Sequence, residues 1–474
     1  MSAFTGLLFT VMAARWLNPS GFGTWEVIVT LVTFSGYPLG TVAYWATRDV
    51  ARGRLVGRTA LITGALMSSL GLVIYFSFTY FTYSRILASF TPFLLGALLV
   101  PLSYWSSAVS AIVTGYRPAV YGISLVTSEM AKLATAYVGL FVYKLGIDGV
   151  ILALLVSYLV QSLVSTYMVR LAASEKFDSA QVRRWSNLAW LPALNYLPAS
   201  LAVADTYVVA LGYGTALVGT YQVAFTVATV ITYASSLAFA MYPLLLRGGS
   251  ERLPAESLEF SLLFAIPMAV GCVVLASPIL FLFGPKYVPG ALGLEVLAVM
   301  FIFNNISLLL DQTLMGTEKV DVGERPSFRR LVGSNLLFVP LVNVCYGVVY
   351  VGSLFFAVSF ATGHGFDTSS TLATWATVQL IATFAFMIVK IRRASRVAKL
   401  LPGVSVVHYF AAAAVMAGLV YLLAGGALNQ GLGTLSYGAR LLGVTVLGAV
   451  AYFLVVYALN QKFRELTRAF LRRL

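Results

Sequence analysis

The chain has 474 residues, of which 59% are hydrophobic and only 10% charged, with a formal net charge of +14 and a mean hydropathy of +0.88. A soluble globular chain carries about 25% charged residues, so this composition excludes a water-soluble enzyme and makes the bilayer its solvent. The positive balance, which in a soluble chain would point to nucleic acid, here comes from Lys and Arg gathered in short loops, as the orientation rule of membrane helices requires.

Apolar runs of about 20 residues or more, each able to cross ~30 Å of hydrocarbon, recur along the whole length. Fourteen spans are predicted, near 2–17, 24–47, 59–83, 87–115, 119–143, 149–171, 187–211, 217–246, 258–284, 290–316, 331–360, 369–389, 406–424 and 437–460. The first is short, which sets the expectation that its true start lies upstream or that the helix begins outside the hydrocarbon. The connecting loops are too short for a soluble catalytic domain, so the chemistry is expected inside the bundle or at its mouths.

Basic residues test this count. The loops after even-numbered spans and the C-terminal tail hold Arg48, Arg52, Arg54, Arg58, Arg117, Arg170, Lys176, Arg183, Arg184, Arg247, Arg252, Lys319, Arg325, Arg329, Arg330, Lys390, Arg392, Arg393, Arg396, Lys399, Lys462, Arg464, Arg468, Arg472 and Arg473, which is 25 of the 31. The other side has Arg15, Arg85, Lys144, Lys286 and Arg440, and Lys132 lies within a span. A missed helix would scramble this alternation. The expectation is a plasma-membrane protein with both termini cytoplasmic. Cys272 and Cys345 lie in apolar runs, and neither they nor the isolated His364 and His408 have metal-ligand spacing; no metal or cofactor is expected.

An internal repeat organises the chain. Gly23-Thr24-Trp25-Glu26-Val27 is answered by Gly219-Thr220-Tyr221-Gln222-Val223, and at the same offset Thr30 meets Thr226, Thr33 meets Thr229 and Tyr37 meets Tyr233. The copies open the second and eighth spans, so the repeat unit is six helices. Six is even, which gives both copies one orientation, an arrangement in which transporters place substrate between the halves. The expected domains are 1–172 and 187–390 as two six-helix bundles, 406–460 as two additional spans, and 461–474 as a basic tail.

At 100° per residue, Glu26, Thr30, Thr33 and Tyr37 fall within an arc of about 60°, as do Gln222, Thr226, Thr229 and Tyr233. A polar stripe on a membrane helix faces another helix or a wet cavity rather than lipid. Threonines alone fit helix packing; Glu26 favours the cavity. Glu129 and Lys132 stand at i,i+3 in span 5 and can pair on one face, as substrate contacts or as a neutralised bridge. Arg15 and Glu295 sit near span ends, where snorkelling is the simpler reading. Asp205 lies toward the outer end of span 7 and Asp311 toward the inner end of span 10, after Asn304, Asn305 and Ser307. Pro38, Pro192 and Pro198 interrupt spans 2 and 7 and bend them. Gly212-Tyr213-Gly214 imitates a phosphate loop, but it follows a membrane helix and no Gly-Lys-Ser/Thr comes after it.

Certain stretches resemble a known family. Arg15-Trp16-Leu17-Asn18-Pro19-Ser20-Gly21-Phe22-Gly23-Thr24-Trp25 resembles the first hairpin of the polysaccharide-biosynthesis flippases. Asp205 with Val218-Gly219-Thr220-Tyr221-Gln222-Val223-Ala224 resembles the second-half hairpin, and Phe283-Gly284-Pro285-Lys286-Tyr287-Val288-Pro289-Gly290-Ala291 the turn between helices 9 and 10; Gly316 and Lys319 also fit. The resemblance runs from span 1 to about span 12 and implies the multidrug/oligosaccharidyl-lipid/polysaccharide (MOP) exporter superfamily. That implies an all-α fold of two six-helix bundles in a V, related by a pseudo-two-fold, with two C-terminal helices. The chain departs in lacking an N-terminal cytoplasmic segment and in having few cationic cavity residues.

The functional expectation is a flippase for lipid-linked oligosaccharide, working by alternating access as a monomer. Burying an unpaired polar group in hydrocarbon costs several kcal/mol, so a polar cavity must substitute for water while the isoprenoid tail stays in lipid. Lys132 and Arg15 are candidate phosphate contacts, and Trp25, Tyr37 and Tyr233 stacking platforms for sugars. Glu26, Glu129 and Asp205 are candidates for coupling to a cation or proton; Thr30, Thr33, Gln222, Thr226 and Asp311 complete the binding set. The alternatives are a cation-coupled multidrug exporter and, from another class, a membrane glycan polymerase or ligase, which the short outer loops disfavour.

Overall fold

The computed structural model describes residues 2–86, 89–116, 118–169, 175–236, 241, 245, 250, 252–318, 333–400, 403–428, 431 and 433–471. Arg117, Arg170, Arg247, Lys319, Arg325, Arg329, Arg330, Arg472 and Arg473 lie outside them, as do most of 237–246 and the starts of the predicted spans at 87 and 331. The described residues are 88% helical and without strands, as a chain whose backbone groups must satisfy one another in lipid demands. It is a multi-pass membrane protein.

The first compact unit covers Met1–Gln222. It contains α1 (Ser2–Trp16), α2 (Pro19–Ser35), α3 (Leu39–Ala51), α4 (Gly57–Ile86), α5 (Thr91–Tyr116), α6 (Pro118–Tyr137, continued by a π turn over Val138–Val142), α7 (Ile147–Met168), α8 (Ser179–Asn187), α9 (Trp190–Ala202), α10 (Ala204–Tyr213) and the start of α11 (Thr215–Thr229). Asn18 caps α2, its side chain accepting from the Gly21 amide at 2.7 Å, and Pro19 takes the first turn, where no amide is needed. The predicted second span is broken: α2 and α3 meet at 60° across Gly36–Pro38, where Pro38 cannot donate to the helix.

Tyrosines tie this unit together. Tyr104 Oη donates to the Ser35 carbonyl at 2.6 Å and Tyr75 Oη to the Phe93 carbonyl at 2.9 Å, both rings fully buried. Small residues admit them: a Cβ on Gly71 or Gly96 would sit 2.8 Å or less from a ring or hydroxyl atom of Tyr104 or Tyr75. This is how membrane helices associate when no hydrophobic force separates helix from lipid.

The second unit covers Val223–Leu474. After a 3-10 turn (Val230–Thr232) and α12 (Tyr233–Ser236) come α13 (Leu253–Val274), α14 (Ala276–Phe283), a 3-10 turn (Pro285–Gly290), α15 (Ala291–Gly316), α16 (Asn335–Gly363), α17 (Thr368–Ala394), α18 (Ser405–Ala427), α19 (Thr434–Leu459) and α20 (Gln461–Leu471). The two C-terminal membrane helices pack on α13, burying Leu262, Ile266, Met416, Val420 and Val456. Tyr452 Oη donates to the Leu263 carbonyl at 2.9 Å and Tyr437 Oη to that of Pro278 at 3.2 Å. Asp367 caps α17; hydrogen bonds from Ser370 hold its carboxyl below the ordinary range.

Among the described residues, twelve helices are long and apolar enough to cross a membrane, or thirteen with the bent α2–α3 pair as one. The remaining predicted span, the first, is α1, whose 15 residues span only about 22 Å at 1.5 Å each. Two helices were unforeseen. α8 and α20 are short and amphipathic, in the stretches expected to be a loop and a tail.

Candidate functional site

The repeated pentad has a direct physical use. A Cβ on Gly23 would lie 1.8 Å from the Thr215 carbonyl oxygen, and one on Gly219 would lie 1.9 Å from that of Pro19. The offset of 196 between Gly23 and Gly219 also relates Pro19 to Thr215. Each glycine therefore rests on the residue four before the other, a reciprocal contact of the kind a two-fold axis generates. The two motif copies cross at their own glycines, with Ser20 and Thr215 hydroxyls hydrogen-bonded at 3.0 Å beside them. The chain repeats the pentad because α2 and α11 approach too closely for any side chain.

The first unit also holds most of the predicted site residues. On α2, Trp25 is 5% exposed and meets Phe9 edge-on at 6.4 Å. Thr30 is buried, Thr33 is exposed and bonds its own helix at the Val29 carbonyl, and Tyr37 Oη donates to the Ala193 carbonyl at 2.9 Å. Glu26 is half-buried, and among the described residues it has no hydrogen-bond or ion-pair partner. That combination is costly unless the carboxylate meets water, a proton or a ligand.

The pair expected in span 5 forms. Lys132 Nζ lies 2.7 Å from Glu129 Oε1, and Thr5 Oγ1 donates to Glu129 Oε2 at 2.7 Å. Lys132 Nζ also stands 5.3 Å from the centre of the Phe9 ring, a cation–π contact. Through Thr5 and Phe9, α1 joins the ion pair on α6 to Trp25 on α2. Arg15, in the last turn of α1, is exposed.

On α10, buried Asp205 accepts from the Thr206 amide at 2.6 Å, and Gln222 Nε2 donates to Thr206 Oγ1 at 2.6 Å. Asp205 and Gln222, on successive helices, are thus joined through Thr206. In the second unit Thr226 is half-buried and Tyr233 exposed.

Asp311 gathers a network there. Lys390 Nζ lies 2.8 Å from Asp311 Oδ2 and donates to Ser307 Oγ at 2.7 Å, while Asn343 Nδ2 donates to Asp311 Oδ2 at 3.2 Å. Three membrane helices, α15, α16 and α17, contribute to it. Asp311 Oδ1, Gln312 Oε1 and Asn305 Oδ1 are buried without partners among the described residues. Lys390 was assigned to a basic loop; it is the last-but-one turn of α17 and 3% exposed. The signal was Asp311 itself, a carboxylate at span depth that needs a counter-charge.

Sequence reasoning also missed Asp49. Fully buried on α3, it accepts from Arg184 at 2.8 Å, from Trp185 Nε1 at 2.9 Å and from Gln181 Nε2, with Arg54 at 3.5 Å. These donors, save Arg54, come from α8, which the carboxylate holds against α3. Asp49 lies between Arg48 and Arg52 in the sequence, and no local periodicity points to its partners. An apolar cavity of about 440 Å³ lies in the second unit, lined by Phe281, Tyr421, Leu422, Leu428 and Tyr437 among others.

No family model matches the chain. A protein of Haloferax volcanii named probable flippase AglR is 22% identical over 345 residues, covering 68% of this chain and 70% of that one. The solved lipid II flippase MurJ in its inward closed conformation superposes with a TM-score of 0.69 at 11% identity, covering 98% of both chains. A crystal structure of a MATE variant gives a TM-score of 0.54 at 14% identity over 84% of this chain and 94% of that one. The fold is therefore the MurJ/MATE fold, and the resemblance to the MOP superfamily first carried by the short hairpin motifs is borne out by these matches.

Proposed function

We propose that this protein is a membrane transporter that moves lipid-linked oligosaccharide from the cytoplasmic to the outer leaflet of the plasma membrane. The observation that carries this reading is the presence of a lysine buried at span depth in each unit, Lys132 beside Glu129 and Lys390 beside Asp311. A buried ion pair is weak evidence of stability, because desolvation offsets attraction. Intramembrane ionisable groups mark substrate pathways more often than scaffolding. Each ammonium keeps donors that an incoming phosphate or pyrophosphate can use, and that suits an anionic head group better than a cationic drug. The relative named a probable flippase and the fold shared with a lipid II flippase support the same direction.

The head group exchanges water for Lys132, the hydroxyls of the α2 stripe and Gln222, and its isoprenoid chain remains in lipid. The two copies of the repeat are read as six-helix bundles, with both termini cytoplasmic, and the transported species crosses as one rocks on the other. No bond is made or broken, so no catalytic residue is assigned, and the monomer suffices.

The test is reconstitution of the full chain in liposomes holding a fluorescent polyprenyl-linked oligosaccharide, with leaflet exposure read by a membrane-impermeant quencher. Translocation above that of empty liposomes, and its loss with Lys132→Ala and Lys390→Ala, is the expected result; equal rates with and without protein would refute it. A second reading, cation-coupled drug export, is favoured by one feature, the carboxylate of Glu26, which has no partner among the described residues. Proton- or sodium-driven extrusion of cationic dyes, with no movement of the glycolipid, would establish it instead.

A further inference from the structure

In the second unit a cavity of about 280 Å³ opens between α13, α18 and α20, lined by none of the residues assigned to transport. Its polar wall is Glu259, with Glu256, Lys462 and Tyr409; Phe260 and Phe463 supply its rings. Glu259 is 6% exposed. One of its oxygens, Oε2, receives Lys462 Nζ at 3.0 Å. The other, Oε1, is buried and has no partner among the described residues. A buried carboxylate oxygen without a donor costs about 1–3 kcal/mol or more, and this one belongs to a side chain that lines the cavity. Lys462 is itself 55% exposed at its side chain, so it has donors to spare on the outer side.

We infer that this cavity binds the head group of an aminophospholipid, its primary ammonium donating to Glu259 and its phosphodiester lying outward against Lys462. Glu259 is the buried anion and Lys462 the exposed cation, with the exposed Glu256 beside them; the ammonium and phosphodiester of a zwitterion match the first two. The aromatic walls attract any ammonium, but only one that carries N–H can donate a hydrogen bond to the Glu259 carboxylate. The setting points to a lipid rather than a soluble amine. The cavity stands where the membrane helix α19 ends at Leu459 and the amphipathic α20 begins at Gln461, and Phe260 on its rim is among the exposed apolar residues of a membrane helix. Short amphipathic helices with a basic polar face lie in the head-group layer.

The full-length protein, delipidated in detergent, is titrated with phosphatidylethanolamine, phosphatidylcholine or phosphatidylglycerol, and bound lipid is counted by native mass spectrometry. Phosphatidylethanolamine is expected to bind about tenfold more tightly than phosphatidylcholine, the worth of one hydrogen bond to a charged group. Glu259→Gln is expected to erase that preference. Should Glu259→Gln not fold, Phe260→Trp tests the same site by filling the cavity while leaving the ion pair, and is expected to weaken phosphatidylethanolamine binding about tenfold. Equal binding of the two lipids, or a preference that survives both variants, overturns the inference. Displacement of the lipid by millimolar ethanolamine would assign the site to a soluble amine and overturn the lipid assignment.

Discussion

Replacing Gly23 or Gly219 by alanine tests the crossing of the repeated motifs directly. A Cβ at Gly23 would stand 1.8 Å from the Thr215 carbonyl and 2.9 Å from the Gly219 amide nitrogen; at Gly219 it would stand 1.9 Å from the Pro19 carbonyl and 2.8 Å from the Gly23 nitrogen. Real Cβ contacts do not fall below 3.0 Å, so α2 and α11 must part by at least about 1.2 Å. The obstacle is backbone, which has no rotamer to adopt. The cost therefore belongs at or above the top of the usual overpacking range of about 1–3 kcal/mol, and the Ser20–Thr215 hydroxyl bond of 3.0 Å is lost as well. Because the two environments mirror each other, the single variants should be destabilised alike. Once one alanine has opened the crossing the second meets little further resistance, so the double variant should cost well under the sum, a coupling expected for residues in contact. Thermal unfolding of the full chain in detergent measures all three. Wild-type melting of both single variants, or strict additivity in the double, would refute a shared contact.

Three further perturbations follow. Asp311→Leu should destabilise by about 3–5 kcal/mol, because it strands buried Lys390; adding Lys390→Met should restore most of the melting temperature while glycolipid translocation stays lost. A double variant that transports normally would make the pair structural. Asp49→Ala removes the acceptor of Trp185 and Gln181, at about 1–3 kcal/mol for each buried donor left unpartnered, and should raise amide exchange across Ser179–Asn187; unchanged protection there would mean that α8 docks by other contacts. Glu26→Gln should leave the melting temperature in place, since no partner is lost among the described residues, yet slow translocation or alter its ion dependence by about tenfold. A lower melting temperature with normal transport would make Glu26 a packing residue.

How much the sequence disclosed depended on the range of the interaction concerned. Lipid imposes a length and a polarity on every span, and both are local, so hydropathy and loop charge found thirteen of the helices or helix pairs that cross, with α1 as short as its predicted span. The pair Glu129–Lys132 was legible for the same reason: its partners are three residues apart on one helix. Asp311 and Lys390 are 79 residues apart, and no periodicity connects them. Lys390 reads as a loop cation because Arg392 and Arg393 follow it, and only α17's continuation to Ala394 draws it inside. Asp49 was hidden likewise by its arginine neighbours, its true partners being on α8 some 135 residues away.

The repeat occupies a middle ground and explains the division of the chain. Its existence could be read by matching letters, and from it six-helix halves ending near 172. What matching could not give is that the two copies touch. Gly23 and Gly219 are conspicuous in sequence only as small residues, whereas in space each removes a side chain from the same crossing. That crossing, with Asp49 holding α8 and Tyr196 of α9 lying over Gly40 of α3, draws the segment 187–222 onto the first unit, so the compact boundary falls at Gln222 rather than in the linker. The same contact that joins the motifs thus sets a limit on how they can move. Two helices seated backbone to backbone can pivot about the contact far more readily than they can slide past it, since sliding would drive each carbonyl into the next residue's Cβ. A transporter of this fold that alternates its access should keep Gly23 on Thr215 in both states, and a cysteine pair at Ser20 and Thr215, in place of the hydroxyls now 3.0 Å apart, should cross-link without stopping translocation. Cross-linked protein that is fully arrested would refute the pivot.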